Sequence, residues 1–124
     1  MTLFDKISIS KLRAKILRKG MFTQLTYPSK SLEHEHRLFR TVLDYTLYDL
    51  TTSSKEVRKE VYDWLDQDGD SFKEVCHLAG LPKENTYNMF LYFLENYFKK
   101  YYQEYSSYNI NRSAIINTQS PVLE

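Results

Sequence analysis

The sequence predicts an all-α fold, a small helical domain with a long C-terminal helix and no β-wing. Apolar residues recur every three or four positions through most of the chain, and the helix-opening pattern Ser-x-x-Glu occurs twice. No run of alternating apolar and polar residues is convincing enough to make a sheet. With 124 residues, 42% of them hydrophobic and 15% aromatic, the chain has material for one modest core without disulfides. That composition excludes a disordered or collagen-like chain. The single Cys76 excludes an intramolecular disulfide framework and fits a reducing compartment. No apolar run approaches the ~20 residues of a membrane span, and Met1–Lys6 lacks the apolar stretch of a secretory signal.

The elements follow in order. Ser10 is placed to cap a short first helix with Leu12, Ile16 and Leu17 on its apolar side, and Gly20 ends it. Its opposite side is a basic row, Lys11, Lys15, Arg18 and Lys19. Residues 21–30, with Tyr27-Pro28-Ser29, read as a connection with an extended piece at Phe22–Leu25. A second helix is expected from Ser31 to Leu50, burying Leu38, Phe39, Val42, Leu43, Leu47 and Leu50. Thr51–Ser54 breaks it, and Ser53 with Glu56 opens a third helix carrying Val57, Val61, Trp64 and Leu65. Asp66–Asp70 is a turn, and Ser71 with Glu74 opens a fourth, short helix that ends at Gly80-Leu81-Pro82. From Lys83 to Gln103 neither Gly nor Pro interrupts, which predicts one long helix with Phe90, Phe93, Leu94, Tyr97, Phe98, Tyr101 and Tyr105 on one face. Residues 1–105 are thus expected to form a single domain, and the polar residues 106–124 a flexible tail.

The net charge is +1, but its distribution is uneven. Residues 1–19 hold six bases against Asp5, whereas residues 53–80 hold four bases against seven acids.

Residues 72–91 are the most informative stretch. Phe72, Val75, Cys76, Ala79, Gly80 and Leu81 have the spacing of two helices meeting at a steep angle: small residues at the contact, a glycine in the turn and an apolar plug after it. Pro82 then presets the opening of the next helix. This pattern resembles the helix-turn-helix of small phage and bacterial DNA-binding proteins, with Thr86 standing where that family buries an aliphatic side chain. The resemblance implies a phage-type transcriptional regulator, acting on double-stranded DNA in the cytoplasm of a bacterial or phage-infected cell. It makes the helix opening at Lys83 the recognition helix, with Lys83, Glu84, Asn85, Tyr87 and Asn88 toward the major groove. Asparagine pairs bidentately with adenine, and lysine reaches guanine or phosphate. The basic row Lys11, Lys15, Arg18 and Lys19 would add phosphate contacts if it folds beside the motif, where Asp66, Asp68, Asp70 and Glu74 otherwise repel DNA.

Other readings stand beside this one. The aromatic helix 90–105 is a core face whose distal portion could pair with a second copy in a homodimer. The alternative function is a non-enzymatic helical adaptor or inhibitor that binds a protein partner and uses the corner as scaffold. Asp66–Asp70 fails the calcium-loop pattern, since Gly69 is fourth and His77 twelfth. His34 and His36 diverge on a helix, so no metal site is assigned. Cys76 has no positioned base, no catalytic constellation stands out, and neither an enzyme nor a cofactor is expected.

Overall fold

The computed structural model describes residues 11–52, 54–66 and 70–119, and the described part is all-helical. Helix α1 covers residues 11–18 and is followed by a single 3-10 turn at Phe22–Gln24. Then come α2 (Glu33–Thr52), α3 (Lys55–Asp66), α4 (Asp70–Leu78), α5 (Lys83–Tyr97) and α6 (Lys99–Gln119). The expected caps at Ser10 and Ser53 and the turn residues 67–69 lie outside the described residues.

An aromatic chain runs through the core. Trp64 of α3 meets Phe72 of α4 edge-on at 5.0 Å, Phe72 meets Phe90 of α5 at 6.3 Å, and Phe90 stacks on Phe22 at 5.3 Å. Four segments distant in sequence are thereby joined through rings, each contact adding about 0.5–1.5 kcal/mol beyond its burial. Phe22 is held for this role by a 3-10 turn rather than the expected extended piece. The Asp44 carboxylate accepts the backbone N–H groups of Met21 (2.8 Å) and Phe22 (2.7 Å) and the hydroxyl of Thr23 (2.9 Å), which winds residues 21–24 into a turn.

Helix α2 is the central element, and its buried face differs from the expected one. Leu43, Leu47 and Leu50 are buried as predicted, but Leu38 and Val42 are exposed. Their place inside is taken by Arg40 and Asp44. Arg40 donates from Nε to the Ala79 carbonyl (2.8 Å) and from Nη1 to that of Leu25 (2.8 Å), and its guanidinium lies 4.0 Å from the centre of the Tyr27 ring. A buried cation is tolerable only when so surrounded, and desolvation still lowers its pKa from the ordinary arginine value. Rotating the apolar face by burying these two polar residues turns Leu38 and Val42 outward.

The long helix expected from Lys83 to Gln103 is broken at Phe98 (φ −135°, ψ 57°). The reason is packing. In a straight helix Tyr87 and Tyr105 would lie ~27 Å apart along the axis, yet their hydroxyls are 2.5 Å apart. The bend buries Phe98 and Tyr105 and lays α6 against α3. There Arg58 grips Glu104 bidentately, at 2.9 and 3.0 Å, and stacks 4.2 Å from the Tyr101 ring centre. Tyr62 donates to the same carboxylate (2.8 Å). Helix α6 continues past Ser106, where a tail was expected, because Tyr108 still packs on Tyr62 (6.0 Å) and donates to Asp63. Residues 120–124 of the expected tail lie outside the described residues.

The starts of α3 and α4 each use a serine hydroxyl. At the start of α3 the Ser54 hydroxyl accepts the Val57 N–H at 3.4 Å. Helix α4 begins at Asp70, and Ser71 accepts the Trp64 indole N–H (2.9 Å) instead of capping it.

Candidate functional site

The corner between α4 and α5 forms at the expected residues. The Gly80 N–H donates to the His77 carbonyl (3.0 Å) and the Leu81 N–H to that of Cys76 (2.9 Å), the paired bonds that close a helix through a left-handed residue. Gly80 supplies that conformation (φ +69°). A side chain there would meet the His36 ring 2.9 Å away, so glycine is required twice over. Extended Pro82 (φ −63°, ψ 134°) turns the chain into α5 without a side-chain cap. At the contact Phe72, Cys76, Ala79, Thr86 and Phe90 are buried. Thr86 satisfies its hydroxyl on the Pro82 carbonyl (2.9 Å), which is how a threonine fits a site suited to an aliphatic residue. Burial pushes the Cys76 thiol up from its usual pKa.

The corner is pinned to α2 from the other side. The His36 Nδ1–H donates to the Leu78 carbonyl (2.9 Å), one residue before the Ala79 carbonyl taken by Arg40. Neither anchor was legible in the sequence, because both depend on α2 crossing the end of α4.

Of the anticipated groove residues, Lys83, Glu84, Asn85 and Asn88 are exposed in the first two turns of α5. Tyr87 departs from that set: it is half-buried, with its hydroxyl against that of Tyr105, so it braces α6 instead of facing outward. Tyr92 and Asn96 extend the exposed side of α5 beyond Asn88 and were not anticipated. Beside Asn88 a groove of about 450 Å³ is lined by Met21, Met89, Tyr92, Phe93 and Tyr97.

Met21, two residues after the basic row, lines the groove beside Asn88. Arg18 and Lys19 of that row border a furrow with Arg37, Thr41 and Tyr45 of α2. Helix α4 approaches the flank of α2 that carries His36 and Phe39, which line a separate groove with Leu78. Phe39 and Thr41 lie about 160° apart at about 100° per residue, so α1 and α4 occupy opposite flanks of α2. The exposed charges of α4 and α5 are Asp70, Glu74, Glu84 and Glu95 against Lys73 and Lys83.

Among the described residues, no group of three or more His, Cys, Asp or Glu could hold a metal ion, and no helix is long and apolar enough to cross a membrane. Along the aromatic helix Phe90, Phe93, Phe98 and Tyr105 are buried within the chain, and Tyr97 is exposed. Compared with known protein families, curated proteins and solved structures, the chain matches none.

Proposed function

We propose that the chain is a small helix-turn-helix DNA-binding protein of the phage-regulator type, reading double-stranded DNA with the first two turns of α5. The supporting observation is the corner itself: it closes at Gly80, and it leaves Lys83, Asn85 and Asn88 exposed at the start of the second helix. Asn85 and Asn88 are three residues apart, on neighbouring positions of one helix face, and suit adenine edges. Lys83 and Lys73 supply the phosphate contacts, and four carboxylates on the same two helices oppose them. Two phosphates neutralised per chain give a salt slope near −2, or about a tenfold loss of affinity from 50 to 200 mM salt. Such binding is weak and leans on base contacts.

The test is binding of a labelled random-sequence duplex across that salt range, followed by selection of preferred sites. Lys83→Ala should flatten the slope by about one. Asn88→Ala should keep the slope and lose discrimination at one position, worth about 1–3 kcal/mol. Absence of binding at the lowest salt, or a slope unchanged in Lys83→Ala, refutes the reading.

A second reading, a non-enzymatic helical adaptor or inhibitor with the corner as scaffold, is favoured by that excess of carboxylates. The methionine- and tyrosine-lined groove beside Asn88 would then be the contact surface. In that case Tyr92→Ala abolishes partner binding and no duplex is retained at any salt.

A further inference from the structure

Beside the basic row of α1 runs an unpartnered apolar ridge. Leu38, Val42 and Tyr45 follow one another along the outer side of α2, 63%, 41% and 62% exposed; Leu17 of α1 beside Tyr45 is 55% exposed, and at the other end Leu38 borders the groove with His77 and Leu78 of α4. Solitary exposed apolar residues are ordinary, but four aligned on two adjoining helices mark a contact surface. Between the helices lies a furrow of about 230 Å³ whose rim carries Arg18, Lys19 and Arg37. Lys15 and Lys11 continue the row along α1 and are exposed.

The furrow is cationic in effect. Its one carboxylate, Asp44, is already committed to the 21–23 backbone and to Thr23. Arg37 shares an exposed ion pair with Glu33 on its own helix (3.3 Å). Arg18 and Lys19 form no ion pair among the described residues. An apolar ridge beside a cationic rim is complementary to an amphipathic helix whose apolar stripe is bordered by Asp and Glu. Nucleic acid would use the rim and leave the ridge without a role, so the apolar half of the surface selects a protein.

We infer that the α1–α2 furrow, with the apolar ridge along the outer side of α2, is a docking site for an acidic amphipathic helix of a partner protein. This holds whether or not the corner binds DNA. Apolar contact along Leu17, Leu38, Val42 and Tyr45 supplies the affinity. The Arg18, Lys19 and Arg37 rim sets which helix is accepted and how fast it arrives.

The test uses the full chain and a fluorescein-labelled synthetic helix of about 18 residues, long enough to be helical. It carries Leu at three- and four-residue spacing with Glu beside each Leu, and its control carries Lys in place of Glu. Anisotropy should show saturable binding of the acidic peptide and at least about tenfold weaker binding of the basic one. Leu38→Ser and Arg18→Glu, both at exposed positions, should each weaken the acidic peptide about tenfold, whereas Lys73→Ala should leave it unchanged. Equal binding of the two peptides, or binding of neither, overturns the proposal. So does displacement of the acidic peptide by duplex DNA, which would make the row a phosphate track. Light scattering that finds a wild-type dimer and a Leu38→Ser monomer also overturns it, because the ridge is then covered by a second copy.

Discussion

Replacing Gly80 by alanine isolates the closure of the α4–α5 corner from everything else on its surface. The residue sits at φ +69°, where a Cβ costs roughly 1–2 kcal/mol. That Cβ would also lie 2.9 Å from two atoms of the His36 ring, closer than such contacts allow. The ring must retreat, and retreat stretches the bond from His36 Nδ1 to the Leu78 carbonyl, worth about 0.5–1.5 kcal/mol. Together these give about 2–3 kcal/mol of destabilisation, with valine worse than alanine. Urea unfolding followed by fluorescence measures it directly. Trp64 is the single tryptophan, its ring lies against Phe72 of α4, and it therefore reports on the packing beside the corner. A double-mutant cycle with His36→Ala separates the two causes. The backbone cost persists in the His36→Ala background, while the collision disappears, so the pair should be less destabilised than the sum by about 1 kcal/mol. Asn88→Ala, exposed on the same unit, should stay within about 0.5 kcal/mol of wild type. A Gly80→Ala protein as stable as wild type, or strict additivity with His36→Ala, would refute this account of the corner.

Three further outcomes follow from the buried polar groups. Arg40→Met should cost about 3 kcal/mol in the same urea assay, since it removes the donors that satisfy the Ala79 and Leu25 carbonyls; a loss below about 1 kcal/mol would mean that water replaces them. Glu104 is held below the usual carboxylate range, first by its hydrogen bond to Arg58, so its stabilisation is complete above the unfolded pKa and is lost as pH falls through the folded one. Glu104→Gln should therefore flatten the decline of urea midpoint below about pH 4.5, and an unchanged acid limb would contradict the pairing. Cys76, buried and with its thiol pKa raised by desolvation, should resist a thiol reagent in the native protein at pH 8 and react fully in urea, whereas rapid native labelling would show an open corner.

What the sequence disclosed was what local chemistry decides. Gly80, Pro82, Cys76 and Ala79 specify the corner through turn geometry and side-chain size within a dozen residues, and the structure forms it there. Helix α4 begins at Asp70, one residue before the expected Ser71, since a hydroxyl serves whichever donor arrives, here the Trp64 indole. The larger departures are tertiary. Periodicity placed Leu38 and Val42 inside and gave no sign that Arg40 and Asp44 would displace them. That choice depends on carbonyls at Leu25 and Ala79 and amides at Met21 and Phe22, distant in sequence. Likewise the break at Phe98 has no glycine or proline to announce it. It follows from Arg58, Tyr62 and Tyr87 offering partners to α6 that a straight helix would carry past them.

The same two buried residues connect the surfaces that the two proposals use. Arg40 ties α2 to the end of α4, and Asp44 ties α2 to the turn that follows α1. The flanks are thus braced to one helix by buried hydrogen bonds, with Phe22 stacked on Phe90 between them. A body braced in this way offers no second packing state for a ligand to select, and coupling between sites requires one. The prediction is independence. Saturating the furrow with the acidic helix should leave the duplex affinity of the corner within a factor of about two, far from the 5–150-fold of an allosteric pair. Titrating labelled duplex with and without saturating peptide measures the ratio. A ratio above about five would show that α2 moves, and with it that the Arg40 and Asp44 anchors yield on binding.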